Sequence, residues 1–191
     1  MNNITMKKTS LLGLFSVYKR YLKDFPKCER KPLGLLISYI LKKQADILLL
    51  YDGDKPVAYS IALTDSKYNA VLVDYLATFS EYRDKGYGSA FINAFKRFYA
   101  DKSGIIIEIE ELGKADSEKE NILRSRRKDF YLRNGFEVQP VKLELFGVDM
   151  HMLYLKINDS NADFVDMAND IYARSLGAEL AKKVAKITRL V

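Results

Sequence analysis

The sequence predicts one mixed α/β domain over residues 1–157, followed by a helical extension over residues 158–191. Three observations predict it. Runs rich in Val, Ile, Leu and Tyr alternate with segments whose apolar residues recur every three or four positions. Gly-containing turns punctuate those runs. The chain has 191 residues, 48% apolar and 29% charged, enough to bury a core and stay soluble.

The elements follow in order. Leu11, Leu12, Leu14, Phe15, Tyr18 and Leu22 fall at helical spacing. A loop over Asp24–Lys31 follows, and Pro32 suits the first position of a second helix with Leu33, Leu36, Ile37, Ile40 and Leu41. Ile47–Tyr51 and Val57–Leu63 read as strands joined by the turn Asp52-Gly53-Asp54. Val71–Phe79 is a third strand. After the stretch Ser80–Ser89 comes a helix with Phe91, Ile92, Phe95, Phe98 and Tyr99 on one stripe. Ile105–Leu112 reads as a strand and Asn121–Arg133 as a helix, stopped by Asn134-Gly135. Val141–Phe146 and Met150–Ile157 make a strand pair around Gly147. Residues 161–190 read as helical, broken near Gly177, with Leu180, Val184, Ile187 and Val191 on one face of the tail. That face packs on the domain, joins a homodimer or meets an anionic surface.

Composition excludes several chemistries. The single cysteine, Cys28, rules out an internal disulfide framework, and with one histidine, His151, a His-based metal cluster has no ligands. No metal is expected. Cys28 reads as a small apolar residue and His151 as a structural one. No apolar run approaches the ~20 residues that span a bilayer, and MNNITMKK leads into no signal-like stretch. A cytoplasmic protein without membrane partners is expected. The net charge of +6 suits anionic partners. Nucleic acid is disfavoured among them, because no helix-turn-helix, zinc finger or aromatic RNP strand stands out.

The informative stretch is Arg83-Asp84-Lys85-Gly86-Tyr87-Gly88-Ser89, between a strand and a helix. Glycines let backbone N–H groups turn toward an anion, and the helix adds its positive end. A P-loop would need Gly-Lys-Ser/Thr where Gly88-Ser89-Ala90 stands, and a dinucleotide fingerprint a third glycine where Phe91 stands. A Gly-rich connection with no ligand is the remaining alternative.

The spacing Arg-x-x-Gly-x-Gly resembles the acyl-CoA signature of the GNAT superfamily of N-acyltransferases. Leftward, Asp74–Arg83 looks like the family's hydrophobic-Ala-Val-x-Pro-x-Tyr-Arg approach. Rightward, Phe130-Tyr131-Leu132-Arg133-Asn134-Gly135-Phe136 looks like its later Tyr-x-x-x-Gly-Phe segment. The resemblance covers residues 32–157. It implies a mostly antiparallel central sheet, splayed in the middle and flanked by helices. It implies acetyl-CoA as acyl donor and a small-molecule or peptide amine as acceptor, with direct transfer in a ternary complex. Leu76, Ala77 and Thr78 would pair with the pantetheine arm, and the amides of Arg83–Ser89 would hold the pyrophosphate. An amide near Ala77 or Thr78 would face the oxyanion. Tyr131 would protonate the departing thiolate. Glu108 and Glu110 share one face of a strand, and Glu110, nearer its end, is the expected base, with Glu108 or water as alternatives. The loop Asp24–Lys31 would shape the acceptor pocket, with Glu29 and Arg30 in reach of substrate. Arg124 and Arg127 depart from the family's Asn and Ala, and either reach phosphate, face an acidic partner or form a solvated helix face. The departure keeps open an inactive, CoA-binding or regulatory module.

Overall fold

A computed structural model describes residues 3–64, 67–115 and 117–190. It is mixed α/β. Its eight strands have the hydrogen-bonded order β1-β2-β3-β4-β5-β7-β6-β8, and five registered neighbour pairs, β1–β2, β2–β3, β5–β7, β6–β7 and β6–β8, are antiparallel. The chain divides into two compact units, residues 1–64 with 73–100, and residues 65–72 with 101–191.

The first unit contains β1 (Ile4–Lys8), α1 (Leu11–Asp24), α2 (Leu33–Leu41), β2 (Ala45–Asp52), β3 (Lys55–Thr64), most of β4 (Ala70–Thr78) and α3 (Tyr87–Phe98). β3 is buried at every position from Val57 to Leu63. Consecutive burial means that both faces are covered, which explains the unbroken apolar run. The β2–β3 turn has Gly53 at φ +61°, as its sequence demands. A register shift at Leu50/Tyr51 sets Tyr51 opposite Pro56, where a residue without an N–H costs the ladder least. Pro32 stands one residue before α2, at its cap. β1 was not expected. Ile4-Thr5-Met6 is too short a run to announce a strand, and it forms by pairing with Leu50–Asp52.

The second unit contains β5 (Gly104–Glu110), α4 (Glu118–Arg133), β6 (Glu137–Leu145), β7 (Val148–Lys156), α5 (Phe164–Leu176), α6 (Ala178–Val184) and β8 (Ala185–Arg189). α4 starts three residues before the expected Asn121. The Ser117 hydroxyl accepts the Glu120 N–H at 3.2 Å, and Ser117-x-x-Glu120 is a capping-box pattern. The β6–β7 turn uses positive φ at Phe146 and Gly147. Gly104 is required by close approach, since a Cβ there would meet the Tyr154 ring at 2.3 Å.

The tail corrects one expectation. It is helical and broken at Gly177 (φ +86°), but Ala185–Arg189 is a strand paired antiparallel with Val141–Leu145. The edge of β6 offers unpaired backbone groups, and Ile187-Thr188 is β-branched and suited to a ladder. Ile187 therefore leaves the helical stripe predicted for it, and Val191 lies outside the described residues.

Candidate active site

In the first unit β4 leads through a single 3-10 turn, Ser80–Tyr82, to α3. The alternation of backbone conformation here is the geometric core of the site. Asp84 has φ +59° and Gly86 has φ +80°, bracketing Lys85. Left-handed residues so placed turn successive N–H groups toward one side, the arrangement of an anion nest. Gly86 caps α3 with no side chain. The amides of Tyr87, Gly88 and Ser89 lie in the first turn, where no intrahelical carbonyl reaches them. They sit at the positive end of a 12-residue helix.

The side chains of this turn brace it. Arg83 donates to Asp24 Oδ1 at 3.1 Å and to the Thr78 carbonyl at 3.3 Å. Lys85 Nζ donates to the Glu81 carbonyl at 2.9 Å. Glu81 accepts from Arg20 at 3.0 Å, and that bond holds its carboxyl at about 2, well below the usual range. Tyr87 donates to Asp52 Oδ2 at 2.7 Å, and its ring meets Tyr82 edge-on at 5.5 Å. The expected phosphate-gripping cations are thus partly spent on the protein, and so is the Arg83 amide, which donates to the Ser80 carbonyl at 3.4 Å, while the amides at the start of α3 have no intrahelical partner. Leu76, Ala77 and Thr78 are all half-buried, whereas Ala70–Tyr75 is buried at every position but Asp74.

The expected acceptor loop folds as a 3-10 turn, Lys27–Glu29. The Glu29 carbonyl accepts from the Tyr75 hydroxyl at 2.6 Å, and Arg30 Nε donates back to the Phe25 carbonyl at 2.6 Å.

In the second unit Tyr131 is buried near the end of α4, edge-on to Phe130 and Phe136 at 5.1 and 5.4 Å. Burial pushes its phenol up to about 12, opposed by the nearby Arg127 guanidinium. It stays protonated throughout the neutral range. Glu110 accepts from Arg124 at 2.8 Å and lies 3.6 Å from Arg127. Arg124 also donates to the Glu111 carbonyl at 3.2 Å. Arg124 therefore turns inward and fastens α4 to the end of β5, rather than forming a solvated face. Glu108, the alternative base, accepts a hydrogen bond from Tyr172 of α5. His151 is half-buried on β7, and burial lowers its imidazole pKa, with Lys128 adding to the effect.

Sequence reasoning missed the braces. Asp24, Arg20 and Asp52 lie far along the chain from the turn they support, and nothing local marks them. One signal was legible: Asp74 is the only charged residue within the apolar run of β4.

Fold and turn together define a mixed α/β protein whose strand–turn–helix presents main-chain donors at a helix N-terminus. A family model described as an acetyltransferase (GNAT) domain matches residues 43–138, and the chain belongs to that family. No curated protein matches the sequence. Among solved structures, a GNAT-family acetyltransferase from Bacteroides thetaiotaomicron is similar with TM-score 0.70 at 18% identity, over 90% of this chain and 98% of that one. A chimeric spermidine N-acetyltransferase from Vibrio cholerae gives TM-score 0.62 at 13% identity, over 81% and 95%. A Bacillus subtilis acetyltransferase in complex with CoA gives 0.56 at 15%, over 82% and 100%. At such identities the likeness speaks for the fold. Among the described residues no helix is long and apolar enough to cross a membrane.

Proposed function

We propose that the protein is an acetyl-CoA-dependent N-acetyltransferase acting on a primary amine by direct transfer in a ternary complex. One observation carries the reading: the strand–turn–helix at residues 83–89 combines positive φ at Asp84 and Gly86 with an open helix N-terminus. A diphosphate fits that donor set. In this reading residues 1–157 carry the reaction and residues 158–191 extend that domain.

Each residue then has a task. The amides of Arg83–Ser89, with the positive end of α3, hold the diphosphate. Arg83 and Lys85 keep the turn in shape and add positive charge. Leu76, Ala77 and Thr78 offer backbone groups to the pantetheine arm, and an amide at Ala77 or Thr78 stabilises the oxyanion. The acyl donor supplies a thioester whose carbonyl carbon takes the amine lone pair as its C–S bond breaks. Tyr131 gives its proton to the leaving sulfur and recovers one from solvent. A raised phenol serves this role because it arrives protonated at the moment of departure. Glu110, already paired with Arg124, orders the water that removes the proton from the amine.

A second reading has its own observation. Glu110 is committed to two arginines, as in a GNAT-like module that binds CoA without turnover. The two separate in a thiol-release assay with acetyl-CoA across aliphatic, amino-acid and peptide amines. One similar structure is a spermidine N-acetyltransferase, so spermidine belongs in the panel. Amine-dependent release of CoA supports the enzyme. Binding of acetyl-CoA with no release by any amine supports the module.

A further inference from the structure

Beneath the α1–α2 connection, the first unit buries a polar cluster that the diphosphate turn does not use. The side chain of Asp74 is 10% exposed, and Lys31 Nζ lies 2.6 Å from its Oδ1. The same ammonium sits 5.1 Å from the centroid of the Tyr75 ring. Tyr75 packs edge-on against Tyr21 and Phe25 at 4.8 and 4.9 Å. An alkylammonium is thus held by a carboxylate and an aromatic wall, the chemistry that recognises organic cations.

The cluster is incompletely satisfied. Asp74 Oδ2 is buried without a hydrogen-bond partner, and so is the Tyr39 hydroxyl on α2, whose residue is 1% exposed. Tyr39 lies within electrostatic reach of both Lys31 and Asp74. A buried polar atom left unpaired is destabilising, and a buried ion pair is weak evidence for stability on its own. Lys31 also sits outside any helix or strand, on the loop before α2, anchored by its amide to the Tyr21 hydroxyl at 2.5 Å. Its side chain can withdraw without breaking a regular element.

We infer that Lys31 Nζ stands in for a ligand. Asp74, the Tyr75 face and the Tyr39 hydroxyl form a site for the protonated head of an aliphatic primary amine, which replaces Lys31 on Asp74. The unpaired Oδ2 and phenol are the positions that a free ammonium, with its three donors, fills better than a tethered one. The inference rests on the acetyltransferase reading for its purpose, because Asp74 lies two residues before Leu76 on the same strand. It narrows the acceptor to cationic aliphatic amines.

The test is calorimetric titration with n-butylammonium chloride at pH 7, without acetyl-CoA. Lys31→Met is expected to bind it at least tenfold more tightly than the wild type, and to melt at a higher temperature in its presence. Lys31→Met combined with Asp74→Asn is expected to do neither, and n-butanol is expected to have no effect. No gain in Lys31→Met, equal binding by the double variant, or an equal effect of butanol overturns the site. Should Lys31→Met lack a cooperative melt, the wild type is compared with Asp74→Asn. At least a tenfold loss supports the site and equal affinity overturns it. Bound butylammonium without CoA release in the thiol assay would leave the site standing and sink the transferase reading. CoA release without Asp74-dependent binding would do the reverse.

Discussion

The turn between β4 and α3 and the contact of α4 with the end of β5 are both rich in charge, and they spend it differently. In the first, Arg83 and Lys85 are tied to Asp24, Thr78 and Glu81, while the backbone amides at the start of α3 have no helical partner. In the second, Arg124 and Arg127 converge on Glu110. Even the loop amides of Gly113 and Ala115 are taken, by the Asn121 side chain. Charged residues in a sequence are therefore not the same as available charge. In the proposed reading the grip on an anion belongs to the main chain of one region, and the other is an internal fastening.

Removing one oxygen gives the largest expected effect. Tyr131→Phe should lower kcat by about 10²–10⁴-fold, the usual worth of a positioned acid, with acetyl-CoA affinity within about twofold by calorimetry. An equal fall in both would put Tyr131 among packing residues. Next comes the backbone. Gly86→Val forces a β-branched residue to φ +80°, a strain of about 1–2 kcal/mol, and should weaken acetyl-CoA binding about tenfold or more. Arg124→Ala probes the fastening. It strands the half-buried Glu110 carboxylate and should cost about 1–3 kcal/mol in denaturant unfolding, while acetyl-CoA affinity changes less than in Gly86→Val. Arg83→Ala should cost less than tenfold in affinity, because its guanidinium is already spent on the protein.

Titration separates the two regions again. Tyr131, with its phenol raised to about 12 from 10, contributes stability that is complete below pH 10 and lost as pH rises through 12. Burial raises Tyr21, Tyr59 and Tyr75 in the first unit as well, so melting temperature should fall steeply above pH 10 in both units. Glu81, held at about 2 by Arg20, contributes stability present above its usual 4.5 and lost as pH falls toward 2. That exposed pair should give only a shallow acid limb, weakened by Arg20→Met.

Much of this was legible in the sequence. Elements with a strong period, such as the Phe91-Phe95 stripe of α3 or the Val57–Leu63 run, form where expected because burial and period agree. Gly86 and Gly53 announced their turns because their backbone conformation excludes most other residues. β1 and β8 were not legible. Each is five residues long and is fixed by a partner strand distant in sequence, so pairing overrides local propensity. The same holds for side chains. Nothing near Arg124 says that it turns inward to Glu110, and nothing near Arg83 names Asp24.

The central claim is that main-chain donors at residues 83–89 hold a diphosphate. Amide chemical shifts of the isotope-labelled protein, titrated with acetyl-CoA and with acetyl-pantetheine, which lacks the diphosphate, test it most directly. The account predicts that acetyl-CoA moves the amides of Gly86 to Ser89 more than any others, and that acetyl-pantetheine leaves them in place and binds far more weakly. Equal affinity for the two compounds, or acetyl-CoA binding that leaves those four amides unmoved, would contradict it.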